Sequence, residues 1–200
     1  DPSGDIHAAR LMAKIKEKSP DTHFTGIGGS KMISQGLDSL ADMRDISVVG
    51  FLEVAKKFKF FSNLMNQCKE IILSKNIDLL IPVDYPGFNI KLASFAKKQN
   101  IPVVYYIAPQ LWAWGKKRAK KLVNNVDKLL TVFPFEEEYF KAFGIDAEFT
   151  GHPLMDNENI SGDILNAEKR QNIIALLPGS RKQEIQKHLE LYAAIAGEFH

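Results

Sequence analysis

The chain has 200 residues, with 26 Lys and Arg against 24 Asp and Glu, a net charge of +2, 45% hydrophobic residues and 25% charged ones. These proportions belong to a globular protein and exclude disordered, collagen-like and disulfide-rich classes; the near-neutral balance argues against a nucleic-acid binder. Cys68 is the only cysteine, so neither an internal disulfide nor a cysteine-built zinc site can form, which fits a reducing cytoplasm.

No apolar run approaches the roughly 20 residues of a membrane-spanning helix. The chain begins with Asp1 rather than Met, and no signal-peptide pattern is read in it. Asp1-Pro2-Ser3-Gly4-Asp5 has turn chemistry. A helical pattern follows, with Ala8, Leu11, Met12 and Ile15 on one face. Such a turn normally follows a strand, so the first strand is expected to be missing. Thr22 to Ile27 reads as a strand, Gly28-Gly29-Ser30 as a turn into a short helix, and Ser47 to Val49 as a short strand. Phe51 to Ser74 is a long helical stretch. Ile77 to Val83 and Ile101 to Ile107 are apolar strands on either side of a helix from Asn89 to Gln99. A basic helix (Gly115 to Asn124), a strand (Val126 to Phe133), a helix (Glu136 to Phe143) and a short strand (Ala147 to Thr150) follow. Apolar strands alternating with helices predict an α/β domain with a doubly wound parallel sheet.

Residues 156–171 are polar and read as a linker. Asn172 to Leu177 reads as a buried strand that leads through Pro178-Gly179-Ser180-Arg181 into a helix reaching His200. The expected organisation is one domain over 1–155, a linker, and from 172 the start of a second domain.

In open α/β sheets, ligands bind at the carboxyl ends of strands, which directs attention to the residues after each one. Asp84 is a candidate general base or, equally, a helix cap. Gly26-Ile27-Gly28-Gly29-Ser30-Lys31 falls short of a dinucleotide fingerprint, because Lys31 stands where the third glycine belongs; its glycines suit a tight turn or a close approach. Pro178-Gly179-Ser180-Arg181 offers a helix N-terminus and a guanidinium to an anion, or is an ordinary turn with a solvent-exposed Arg. The five histidines show no metal-ligand spacing, and His152 reads as either structural or catalytic. Phe58, Phe61, Leu64 and Met65 share a helix face beside Lys56, Lys57 and Lys59. That combination suits either an anionic membrane surface or a core. The Lys116–Lys121 run, after Trp112 and Trp114, suits lipid headgroups, a phosphate or plain solvent.

Eight segments, taken in order, resemble the lipid-A-disaccharide synthases, inverting glycosyltransferases of family 19: Pro2-Ser3-Gly4-Asp5; Gly26-Ile27-Gly28-Gly29 with Met32; Val49-Gly50-Phe51-Leu52-Glu53-Val54; Asp84-Tyr85-Pro86-Gly87-Phe88-Asn89; Pro109-Gln110-Leu111-Trp112-Ala113-Trp114; Pro134-Phe135-Glu136; Gly151-His152-Pro153; and Leu177-Pro178-Gly179-Ser180-Arg181. The resemblance implies the N-terminal part of a two-domain B-type glycosyltransferase fold, built of two Rossmann-like domains around a cleft. It implies transfer of 2,3-diacylglucosamine from its UDP conjugate to 2,3-diacylglucosamine 1-phosphate, as in Gram-negative lipid A biosynthesis. The enzyme would be cytoplasmic, peripheral to the inner membrane, and would need neither cofactor nor metal. By position, Asp84 matches the essential aspartate and Arg181 an essential arginine serving the leaving diphosphate. Ser3, Gly4, Asp5, Gly28, Gly29, Asn89, Gln110, Trp112, His152, Gly179 and Ser180 would bind substrate. Leu52, Val54, Phe58 and Phe61 would touch the membrane.

Two positions depart from the family pattern. Gly87 stands where many members carry a second acidic residue, and Asp1 where many carry Glu. Most of the second domain is expected to be absent, and the 200 residues alone are expected to be inactive. The other readings are a UDP-sugar enzyme of the same fold, such as a hexosamine 2-epimerase, and a non-catalytic membrane-binding module.

Overall fold

The computed structural model describes residues 2–42, 54–111, 116–155, 175–179 and 182–198. It divides into two compact units, Asp1–Leu154 and Met155–His200.

The first unit opens with helix α1, Pro2–Lys18. Over residues 2–5 the expected turn is instead the start of this helix. Proline suits a first helical position, because it lacks an N–H that would have no partner there. Asp5 in the first turn and Lys16 and Lys18 in the last complement the helix dipole. Strand β1 (Phe24–Gly28), the short helix α2 (Ser30–Ser34) and strand β2 (Leu37–Asp42) follow. β1 and β2 pair in parallel, with an irregularity between Gly26 and Ile27. The sequence reading missed β2, whose Leu-Asp-Ser-Leu-Ala-Asp run buries Leu37 but carries few strand-forming residues.

Helix α3 (Val54–Ser74) turns Leu64, Cys68 and Ile72 inward, spaced by four residues as one helical face requires. Helix α4 (Pro86–Lys98) buries Ile90, Leu92, Ala93 and Ala96. Strands β3 (Val104–Tyr106), β4 (Lys128–Thr131) and β5 (Ala147–Phe149) form a parallel sheet in that order. Helices α5 (Lys116–Val123) and α6 (Pro134–Lys141) lie between them in sequence. One core joins Cys68, Ala93, Val103, Tyr105, Leu122, Leu129 and Phe140. The fold is a parallel, Rossmann-like α/β domain.

The sheet differs from the expected one in one respect. Ile77 to Val83 meets β3 and the residue before it through two isolated bridges, Leu80 with Val103 and Val83 with Tyr106. Its backbone still bonds as a parallel neighbour does, Val104 N–H to the Leu80 carbonyl at 3.0 Å and Tyr106 N–H to Pro82 at 2.8 Å. Among the described residues no strand pairs with its other edge or with the free edge of β1. Between the two edges lies an apolar cavity of about 1220 Å³, walled also by Leu11, Ile15, Leu64 and Leu92.

In the second unit, Ala175–Gly179 has no regular structure, and helix α7 spans Lys182–Gly197. The expected buried strand fails over 175–177, where Leu177 is 83% exposed. A strand needs a ladder partner, and none stands beside it among the described residues. The linker and the short strand expected at Ser47 to Val49 lie outside those residues.

Candidate active site

Four chain segments of the first unit end at one place. Asp84 follows the 77–83 segment, Ile107 follows β3, Val132 follows β4, and His152-Pro153 comes after β5. All of them line a small cavity of about 90 Å³ that is closed by Ser3, Gly4 and His7 of α1. Carboxyl ends and a helix N-terminus thus converge as the topology requires.

Asp84 is the most constrained residue there. It and Tyr85 adopt left-handed backbone conformations, φ 48° and 45°, which non-glycine residues rarely occupy. The turn is clamped: Asn89 Nδ2 donates to the Asp84 carbonyl at 2.6 Å and to Val83 at 3.1 Å, and the Tyr105 hydroxyl donates to the same Asp84 carbonyl at 2.6 Å. Burial, reinforced by the Asp84 charge, pushes the Tyr105 phenol well above its usual range, so it remains a donor. Ile107, a β-branched residue at φ 63°, is a second strained position on the cavity wall. Strain at neighbouring positions persists only where surrounding contacts enforce it, and it clusters at functional sites.

The His152 ring lies tilted against Phe133, with centroids 5.6 Å apart, and its Nδ1 accepts the Leu154 N–H at 3.2 Å. A neutral ring so bonded carries its proton on Nε2. Arg10 Nη1 ties the same loop to α1 through the Pro153 carbonyl at 3.0 Å.

Several expected binding residues make structural contacts. Asp5 is buried, and its carboxylate accepts from the N–H groups of Gly29 (2.9 Å), Met32 and Lys31 (both 3.1 Å), capping α2. Asp5→Ala is expected to cost about 2–3 kcal/mol in urea unfolding, because it strands charge-assisted bonds at a helix start. Asp5→Asn should keep part of that. Gly28 and Gly29 approach protein atoms closely: a Cβ on Gly28 would come within 2.5 Å of Leu37 and Met32, and one on Gly29 within 2.5 Å of the Asp5 carboxylate. Asn89 spends its amide on the Asp84 turn, which makes it a positioning residue.

Gln110 is exposed in the loop after β3 and does not line the small cavity. Gly179, at φ +100°, belongs to the second unit. Trp112, Ser180, Arg181 and Leu52 lie outside the described residues, and so does the side chain of Val54. Phe58 is 76% exposed. Phe61 is not its companion on a surface: it stacks on Tyr85 at 6.2 Å, meets Phe88 and lines the large cavity. The two are three positions apart on a helix whose inward stripe takes the second.

The sequence reading did not single out His7. It lies four residues after Ser3, one helical turn on and on the same face, and it lines the cavity beside Asp84. Its pKa is held below 6.5, first by burial and then by Arg10 and His152, with Asp84 opposing.

Among the described residues no helix is long and apolar enough to cross a membrane. The chain is similar to known proteins along its length. A family model described as lipid-A-disaccharide synthetase matches residues 1–200. A lipid-A-disaccharide synthase of Syntrophus aciditrophicus is 39% identical over 193 residues, 94% of this chain and 50% of that protein. One from a Sulfurihydrogenibium species is 43% identical, covering 92% and 48%, and one from Legionella pneumophila is 37% identical, covering 94% and 51%. The chain spans about half the length of the curated relatives it matches. A match that runs from the α1 entry through the Asp84 turn to the last helix carries the assignment: this chain belongs to the lipid-A-disaccharide synthetase family.

Proposed function

We propose that the enzyme containing this chain transfers 2,3-diacylglucosamine from its UDP conjugate to 2,3-diacylglucosamine 1-phosphate, giving the β-1,6-linked lipid A disaccharide phosphate and UDP. The observation that carries this reading is the strained, clamped Asp84 turn at the carboxyl-end cleft of a chain that the family model matches over residues 1–200. Its carboxylate takes the proton of the acceptor 6-hydroxyl as that oxygen attacks the anomeric carbon. The bond to the diphosphate breaks on the opposite face, which inverts the centre. Arg181 offers the leaving diphosphate a guanidinium. Gly87 leaves Asp84 as the only carboxylate of its turn, and a Cβ there would meet open space.

Residues 1–155 form the acceptor and membrane side in this reading, 156–171 a linker and 172–200 the start of the donor-binding domain. The division of the chain after Leu154 supports it. The test is UDP release by the intact protein, with acylated and acyl-free sugars compared. Release only with both acylated partners is expected; equal turnover of acyl-free UDP-sugars would move the assignment to a soluble-acceptor enzyme.

Peripheral attachment to the inner membrane on its cytoplasmic side follows from substrates that carry acyl chains. Phe58, exposed beside Lys59 and with Lys56 and Lys57 preceding it in sequence, suits an anionic surface. Phe58→Ser is expected to weaken co-sedimentation with anionic vesicles while leaving stability unchanged. Phe61→Ser is expected to lower stability, because it removes a ring packed on Tyr85 and Phe88. Unaltered vesicle binding by Phe58→Ser would remove that helix from the contact.

A further inference from the structure

His7 has a place in the fold that neither helix packing nor capping explains. It shares the 90 Å³ cavity with Asp84, Ser3 and His152. Its Nδ1 is buried and meets no hydrogen-bond partner. Buried polar atoms are nearly always paired, and an exception calls for an explanation such as a catalytic role or a bound group. Asp5, two residues before it, turns its carboxylate to α2 instead. The charged and titratable groups around His7 are Arg10 on its own helix, His152 on the loop after β5, and Asp84 at the end of the 77–83 segment.

We propose that His7 is the second proton-accepting group of this site, working as a pair with Asp84. This rests on the glycosyl-transfer reading above. The acceptor oxygen forms its bond to the anomeric carbon, and the bond from that carbon to the diphosphate oxygen breaks, its electron pair leaving with UDP. The hydroxyl proton passes to the Asp84 carboxylate and from there to the neutral His7 imidazole, which later releases it to water. The arrangement suits this task. Burial, Arg10 and His152 keep the imidazole neutral and able to accept, while the Asp84 charge favours the imidazolium once formed. A carboxylate relieved of its proton within the cavity is ready for the next acceptor.

The test uses the intact protein. As pH falls, His7 becomes protonated and can no longer accept, so kcat is expected to decline on the acid side below pH 6.5. His7→Asn is expected to lower kcat about 10- to 100-fold, to leave KM near its original value and to abolish that acid limb. An acid limb retained in His7→Asn, or an unchanged kcat, would overturn the proposal. A second measurement needs no turnover. In histidine-labelled protein followed by NMR, Asp84→Asn should move the His7 titration further down, because the opposing negative charge is gone. A His7 titration indifferent to Asp84→Asn would also overturn the pairing. If UDP release fails in the unaltered protein while this coupling is seen, the transfer reading falls and the His7–Asp84 pair stands.

Discussion

Asp84→Asn is expected to lower turnover of the intact enzyme by about 10³-fold, the scale of a general base removed, with little loss of stability. The choice of asparagine matters. Asp84 sits at φ 48°, where Asn is nearly as tolerant as Asp and Ala is not. Asp84→Ala should also abolish activity, but it adds backbone strain to the loss of the carboxylate. The Asn variant keeps the turn, including the Asn89 and Tyr105 bonds to the backbone carbonyl at this position. Asp84→Gly separates the two effects: it removes the carboxylate and relieves a strain of about 1 kcal/mol. It is therefore expected to be both inactive and more stable in urea. Normal UDP release by the Asn variant would sink the assignment of Asp84 as base. Reduced stability in the Gly variant would show that the turn is not strained.

What was legible in the sequence follows from the reach of each interaction. Local periodicity located α1, α3, α4, β3, β4 and β5 within a few residues, because burial of one face or of both leaves a repeat in the chain. β2 escaped: its Asp38, Ser39 and Asp42 carry no strand signal, and it is held by pairing with β1. Asp84 was found by position, at a strand end before Pro86. Its left-handed backbone was not, because part of the clamp comes from Tyr105, 21 residues away. The same limit explains Asp5 and Asn89. A carboxylate or amide near a cleft motif looks free in sequence until its backbone partners, 24 to 27 residues off for Asp5, are in view. His7 carried no signature at all. A lone histidine inside a helix becomes a candidate only once the ends of 77–83, β3 and β4 and the loop after β5 arrive beside it. Phe61 shows a simpler limit: a stripe of aromatic and aliphatic residues looks the same whether it meets lipid or α4.

The gap in the sheet leads to the other large effect. β1 and the 77–83 segment both bound the 1220 Å³ cavity, and neither has a strand on that side among the described residues. Thr25 Oγ1, on β1, is buried there without a partner. The cavity runs from the Ser19–His23 loop and Asn76 at one end to Gly4 and Asp5 at the other. A parallel strand lying in it would finish beside the start of α1, and strand, α1 and β1 would then make the right-handed crossover that parallel sheets require. An apolar strand of about five residues joined ahead of Asp1 is therefore expected to stabilise the first unit by about 3–5 kcal/mol. Burying its side chains contributes about 2 kcal/mol each, ordering costs about 1.5 kcal/mol per residue, and the ladder hydrogen bonds, exchanged for bonds to water, add the small remainder. Hydrogen exchange at the amides of Phe24–Gly28 and Ile77–Val83 should slow in step with the urea midpoint. A Gly-Ser extension of equal length should do neither, because it offers the cavity no apolar side chains. Equal protection from both extensions would mean that the space is not a strand site. It would leave the 77–83 segment, with the Asp84 turn at its end, held from one side only.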